Sequence, residues 1–224
     1  EILPDGNIIE HKFYQDDVKK GLEYETNIFD GDKKIKAVRK TFNTNVYDSR
    51  YSIVNLDLVI EKDYDEHSEK ITIVNFGYDG YGNVVSVDYK GDKDIEGDEK
   101  KEIIEYDYNL NLWIVDKPKS YIVEGFDGKE ISRFHFYYSD KGDLLSEAYW
   151  VFWYENIDGE EVMVTTGDPS FIYEYDDYGN VVSIDHYGDR DIENVVSYEY
   201  DDSNRFIVKI IDAKGYDEFY EYDN

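Results

Sequence analysis

One phrase of nineteen residues is written twice in this chain. Tyr78–Glu96 reads YDGYGNVVSVDYKGDKDIE and Tyr175–Glu193 reads YDDYGNVVSIDHYGDRDIE, identical at fourteen positions. The exchanges are mild, Val87 against Ile184 and Lys93 against Arg190 among them. Internal self-similarity of this kind marks a repeat architecture, in which each copy is a supersecondary unit that buries its apolar face against its neighbours. The chain has to be explained as a unit copied, not as a collection of independent sites.

Six tyrosines line up as unit starts: Tyr78, Tyr106, Tyr138, Tyr175, Tyr200 and Tyr222, at intervals of 28, 32, 37, 25 and 22 residues. The irregular spacing fits hairpins with loops of different length better than a strict solenoid. The motif positions are Tyr78, Asp79, Gly82 and Asn83; Tyr106 and Asp107; Tyr138, Asp140 and Gly142; Tyr175, Asp176, Gly179 and Asn180; and Tyr200 and Asp201. Asp79 and Asp176 stand where a side-chain oxygen bonds the amides of a turn. Gly82-Asn83 and Gly179-Asn180 tolerate the positive φ of a tight reversal. The strand that follows alternates: Val85, Val87 and Tyr89 face one way, Val84, Ser86 and Asp88 the other. The tyrosine ring at the strand end is expected to cover the neighbouring hairpin and leave its hydroxyl in water.

Other segments carry the same period. Val54, Leu56, Leu58 and Ile60 share a face, and Phe134, Phe136 and Tyr138 oppose Arg133 and His135. Ala148–Tyr154 is apolar on both faces, which predicts a strand covered on both sides. Asp30-Gly31-Asp32 reads as a hairpin tip, and Asp98–Tyr106 as an acidic loop running into a strand. Roughly fifteen strands and no helix follow from this pattern. The expectation is an all-β fold: an extended, curved antiparallel sheet of stacked hairpins. No Pro/Ser-rich linker interrupts it, so residues 1–224 read as a single domain, with 1–70 less regular and 71–224 in clear repeats. Neither end resembles a capping unit, and the chain starts at Glu1, so a segment of a longer protein is expected.

Composition narrows the function classes. The aromatic excess, 24 Tyr, 11 Phe and 3 Trp, suits a pleated, half-buried surface. A net charge of −29 repels phosphate backbones and anionic membranes, which disfavours nucleic-acid and lipid partners. With no cysteine there is no disulfide framework and no thiolate metal site, and the compartment is not thereby decided. No apolar run approaches the ~18 residues of a spanning helix.

The Tyr-Asp-x-x-Gly-Asn units at Tyr78–Asn83 and Tyr175–Asn180, with a weaker copy at Ser139–Gly142, resemble the YD-repeat (Rhs) family. The order of features is most similar to the repeat region in the B component of bacterial ABC-type insecticidal toxin complexes. There a Tyr-Asp-x-Tyr-Gly-Asn-Val unit precedes a Trp-containing segment with a Lys/Leu-Pro step, here Asn111–Pro118. A Tyr-Tyr-x-Asp-x-Gly unit, here Tyr137–Gly142, comes next. The resemblance covers about residues 20–224 and implies a sheet that spirals into a hollow shell around a toxic C-terminal domain. It implies a secreted or cell-surface bacterial protein whose partners are the remaining shell repeats and the enclosed toxin. No catalytic residue is carried over. The family's self-cleaving region has an Asp-Pro-x-Gly motif, whereas Asp168-Pro169 here is followed by Ser170-Phe171.

Beside the resemblance, the residues themselves leave several chemistries to weigh. The repeated acidic tips Asp92-Lys93-Asp94 and Asp189-Arg190-Asp191 offer oxygen ligands for calcium, with Asp92, Asp94, Asp189 and Asp191 as candidates. No twelve-residue calcium loop is present, Lys93 and Arg190 place positive charge in each tip, and solvated hairpin tips are the plainer reading. Trp113, Trp150 and Trp153 could form an aromatic platform for sugar rings, the basis of an alternative glycan- or cell-surface-binding role. His11, His67, His135 and His186 show no metal spacing. Carboxylates are too abundant for any pair to mark hydrolysis. Open sheet edges permit edge-to-edge self-association.

Overall fold

The computed structural model describes residues 1–46, 52–157, 160–165, 170–187 and 194–222, and every regular element among them is a strand. In chain order these are β1 (Ile8–Phe13), β2 (Glu23–Asp30), β3 (Lys33–Val46), β4 (Ser52–Tyr64), β5 (Glu69–Tyr78), β6 (Val84–Asp92), β7 (Lys100–Asn109) and β8 (Ile114–Gly125). They continue as β9 (Glu130–Tyr138), β10 (Leu144–Ile157), β11 (Glu160–Thr165), β12 (Ser170–Tyr175), β13 (Val181–Tyr187), β14 (Val195–Tyr200), β15 (Ile207–Ile211) and β16 (Asp217–Phe219). All belong to one open antiparallel sheet. Its order follows the chain from β1 to β10 and from β12 to β16, with β11 paired to β10 off that path. Chain-order neighbours joined by short turns are what a copied hairpin must give, because a two-strand unit leaves an edge that only the next unit can fill.

The sheet divides into two compact units: Glu1–Ile104 with Val123–Glu130, and Glu105–Ile122 with Ile131–Asn224. In the first, β3 and β4 pair from Lys36↔Asp63 to Val46↔Ser52, longer than any hairpin in the clear repeats. Alternating β-branched residues there sustain long strands without the Tyr-Asp turn signal. The buried apolar side chains among the described residues are Ala37 and Val87.

Polar cross-strand pairs supply much of the remaining order. Glu25, 7% exposed, accepts from Lys12 Nζ, Arg39 Nε and Asn27 Nδ2, each at 2.8 Å. These bonds, Lys12 first, hold its carboxyl down at about 2 against the cost of burial. Lys40 Nζ (2.6 Å) and the His11 ring (2.5 Å) do the same for Glu23, also at about 2. Lys36–Glu61 and Lys62–Glu69 continue the series across β3, β4 and β5. Glu25 can be buried because Lys12 and Arg39 stand directly across the ladder on its two sides, whereas the cations of Glu23, Glu61 and Glu69 reach them from offset positions.

The second unit is aromatic. Phe134 stacks on Tyr149 with centroids 4.3 Å apart, and Phe171 on His186 at 4.5 Å. The apolar run in β10 is not covered on both faces as expected: no residue of β10 reaches full burial, and Trp153 is 40% exposed. Tyr149 and Trp150 are instead half-buried beside Phe134 and His135 on β9.

Candidate functional site

The repeated element resolves into a single turn geometry. In Asp79–Asn83 the Asp79 amide donates to Asn83 O (3.0 Å) and the Gly82 amide to Asp79 O (3.3 Å). Ser139–Asp143 and Asp176–Asn180 show the same two bonds. Leu3–Asn7, Gly125–Lys129 and Asp212–Tyr216 show them too, the last two outside the motif positions expected from the sequence. In every case the fourth residue is a glycine with φ between 75° and 92°. This is the three-residue hairpin loop, a type I turn closed by a left-handed glycine bulge, which suits the twist of the flanking strands. The signal available in advance was the Gly-x-x-Gly and Asp-x-x-Gly spacing at 125–128 and 212–215.

The aspartate at the first position is the turn's internal anchor. Asp176 Oδ1 accepts from the Tyr178 and Asn180 amides, both at 2.9 Å, and Oδ2 accepts from Asn180 Nδ2 at 2.9 Å. Asp79 repeats the arrangement with Tyr81 and Asn83, every bond 2.8 Å. Partial desolvation raises the Asp176 carboxyl, but the Asn180 and amide bonds outweigh it and the net shift is downward. Ser139 substitutes its hydroxyl, accepting from the Lys141 and Asp143 amides and donating to Asp143 Oδ2. Asp201 anchors a turn one residue longer, closed at Asn204 (φ 55°). Asp140 is the second residue of its turn, and its carbonyl accepts from Asn109 Nδ2 at 3.2 Å.

The tyrosine before the aspartate has a role that its sequence position does not reveal. Its hydroxyl is not left in water. Tyr78 donates to Leu56 O and Tyr175 to Leu144 O, both at 2.8 Å; Tyr200 donates to Val181 O at 3.0 Å and Tyr222 to Ile207 O at 2.9 Å. One rule covers all four. Continuing the register Ser146↔Ile172 sets Asp143 opposite Tyr175, and the acceptor Leu144 is the next residue. The registers Leu58↔Asn75, Ser183↔Ser197 and Lys209↔Phe219 give the same offset for Leu56, Val181 and Ile207. Leu144, Val181 and Ile207 each open the strand just after a turn. Tyr175 therefore clasps the exit of turn 139–143 and leads into turn 176–180. The exit of that turn is clasped by Tyr200, which leads into turn 201–206, clasped in its turn by Tyr222. Burial, then the charge of Asp143, raises the Tyr175 phenol, and burial likewise raises Tyr78 and Tyr200. All three remain donors across the physiological range.

Two expected motif positions fall elsewhere. Tyr106 and Asp107 lie inside β7, which runs on to Asn109 before the chain turns at Trp113 (φ 56°). The unit there starts at Tyr108-Asn109, with Leu112 N donating to Asn109 Oδ1 at 3.3 Å. Tyr138 does stand before its turn, and the Lys117 ammonium lies 6.0 Å from the centre of its ring.

The acidic tip is likewise committed to its own backbone. Asp92, 8% exposed, accepts the Asp94 amide on Oδ1 (3.1 Å), and its own amide donates to Asp98 Oδ2 (2.9 Å). No group of three or more His, Asp or Glu among the described residues is placed to hold a metal. Asp189 and Asp191 lie outside the described residues. The three tryptophans do not form one platform: Trp150 and Trp153 are an odd number of residues apart on β10 and face opposite ways, and Trp113 lies in the β7–β8 turn. Recesses exist beside turn 139–143, lined by Asp107, Tyr108, Lys117 and Tyr138, and beside turn 125–129, lined by Lys90, Lys100, Glu124 and Phe126.

No protein-family model and no curated protein matches the chain by sequence. Among solved structures it is similar to the crystal structure of TcdB2-TccC3 at 10% identity and a TM-score of 0.51, over 93% of this chain and 17% of that one. The crystal structures of TcdB2-TccC3-Cdc42 and of TcdB2-TccC3 without hypervariable C-terminal region give the same identity and TM-score over 92% of this chain. The chain spans about a sixth of their length, 16% in both. At that identity the likeness is one of fold.

Proposed function

We propose that the chain is a structural YD-repeat module, a strip of wall in a hollow β-shell that encloses a toxin or effector domain. The observation that carries this is the clasp. Tyr175, Tyr200 and Tyr222 each tie a strand to the exit of the preceding turn and so make successive units depend on their neighbours, which is what a continuous wall requires and an isolated binding domain does not. The likeness in fold to part of TcdB2-TccC3, together with the Tyr-Asp-x-Tyr-Gly-Asn units, supports the same reading. On this reading the module catalyses nothing and works by enclosure. Its partners are further repeats and the enclosed domain, and it acts in a protein delivered outside the cell. Electron cryomicroscopy of the full-length polypeptide carrying these residues tests it. The expected image is a hollow body with this sheet in its wall, and a sheet with solvent on both faces overturns it. Glycan binding has narrower support in the exposure of Trp113 (70%) and Tyr178 (74%), and a glycan array with no signal above background removes it.

A further inference from the structure

One face of the second unit sets a carboxylate among aromatic rings. Residues paired across an antiparallel ladder share a face. Glu147 on β10 stands opposite Phe136 on β9 and Phe171 on β12. Tyr138 and Tyr173 lie two residues further along those strands, and Tyr149 two residues along β10, so they occupy the same face. Phe134 completes the surround, stacked on Tyr149 with centroids 4.3 Å apart. The Tyr173 hydroxyl donates to Glu147 Oε1 at 2.7 Å and so fixes the carboxylate among the rings. Glu147 and all of these rings are half-buried, so each keeps some surface for a ligand.

No cation pairs with this carboxylate. Among the described residues Glu147 has the hydrogen bond from Tyr173 and no ion pair. In the first unit, by contrast, Glu25 has both Lys12 and Arg39. From Gly142 to Asp189 the sequence has twelve Asp and Glu and not one Lys or Arg. Lys117, on β8, stands beyond Tyr138 at 6.0 Å from the centre of that ring, and His186 stacks on Phe171 from the β13 side. The phenols next to Glu147 register its charge: burial first, then Glu147, raises both Tyr138 and Tyr173.

We infer that this face binds a small quaternary ammonium, a cation whose charge is covered by methyl groups. Neighbouring strands are about 4.8 Å apart, so the rings of Phe136 and Phe171 stand about 10 Å apart with Glu147 between them. A cation centred above the carboxylate is then about 5 Å from each ring, inside the ~6 Å over which a ring face attracts positive charge. A primary ammonium is strongly hydrated and must find acceptors for three N–H groups as it sheds that water. A quaternary ammonium has no N–H to satisfy, and its methyl groups bury against the rings while Glu147 supplies the opposite charge. This inference stands whether or not the sheet is part of a shell.

Proton NMR of choline titrated with the full chain tests this. The choline methyl signal is expected to move upfield and broaden saturably, through the ring currents of the surrounding side chains, with a dissociation constant in the millimolar range. Two comparators are read by competition with choline: its neutral isostere, with a tert-butyl group for the trimethylammonium, and ethanolamine, which has the charge without the methyl groups. Each should bind about fivefold more weakly or worse. Glu147→Gln keeps an oxygen for the Tyr173 hydroxyl but removes the charge, and should weaken choline by about tenfold. Phe171→Leu should weaken it by about threefold. Glu174→Gln removes the same charge from the opposite face of β12 and should leave binding unchanged. Circular dichroism matching the parent protein confirms that each variant is folded. Equal binding of choline and ethanolamine would show attraction by the net charge of −29 alone and overturn the inference. So would unchanged binding by folded Glu147→Gln, or a choline signal that the protein does not shift.

Discussion

Removing one oxygen atom from Tyr175 isolates the clasp from everything else the residue does. Tyr175→Phe keeps the ring, its half-buried position and its packing, and deletes only the 2.8 Å bond to Leu144 O. A bond of this kind contributes about 0.5–1.5 kcal/mol net. Leu144 also pairs with Tyr138 across the β9–β10 ladder, so the carbonyl keeps a strand environment and the loss should sit near the middle, about 1 kcal/mol. For a chain of this size that corresponds to roughly 2–4 °C in Tm. Trp150 and Trp153 lie in the same compact unit, so urea unfolding followed by tryptophan fluorescence reports on it directly. Tyr178→Phe is the control, since Tyr178 is 74% exposed at the tip of the next turn, and it should stay within about 0.5 kcal/mol of the parent. The titration adds a second signature. Burial, then Asp143, places the folded-state phenol above its ordinary 10.0, so the stability tied to its proton is complete below about pH 10 and is lost as pH rises through the higher folded value. The Phe variant should lose less stability over that alkaline range. If Tyr175→Phe and Tyr178→Phe unfold at the same urea concentration, the hydroxyl is not a tie and the ring alone explains the repeat.

Asp176→Ala removes three bonds within one turn and should cost about 1–2 kcal/mol in the same assay, with Asp176→Asn intermediate. Gly179→Ala forces a Cβ onto φ 88° and should cost about 1–2 kcal/mol although nothing nearby obstructs the methyl group. Glu23 and Glu25 are held at about 2 against an ordinary 4.5, so their contribution is present above pH 4.5 and lost as pH falls toward 2. Glu25→Gln should flatten that acid limb of a Tm-versus-pH profile. Millimolar calcium should leave Tm unchanged, because Asp92 Oδ1 already accepts the Asp94 amide and no group of three His, Asp or Glu among the described residues converges there; a rise in Tm would point to a cation site after all.

Period-two alternation, Gly-Asn pairs and the copied phrase were enough to read the antiparallel all-β sheet and the turns at 79–83 and 176–180. They carry local information: the hydrogen bonds that close these two turns join residues at most four positions apart. The position of a turn is ambiguous where two such local signals overlap. Tyr106-Asp107 and Tyr108-Asn109 both offer a plausible start, and only the continuation of β7 to Asn109 decides between them. The acidic tip at Asp92 reads in sequence as a solvated hairpin tip or an ion site, because sequence does not show that Asp92 Oδ1 accepts the Asp94 amide.

What the chain's own order of residues determined is the hairpin: where it turns, through a left-handed glycine and an anchoring aspartate, and which side chains share a face. What only the tertiary structure decided is how one hairpin holds the next. The Tyr175 hydroxyl and its acceptor at Leu144 are 31 residues apart, and those of Tyr200 and Val181 are 19 apart. No local rule connects them. The constant is a register, one residue past the partner across the ladder, and register exists only once the strands have paired.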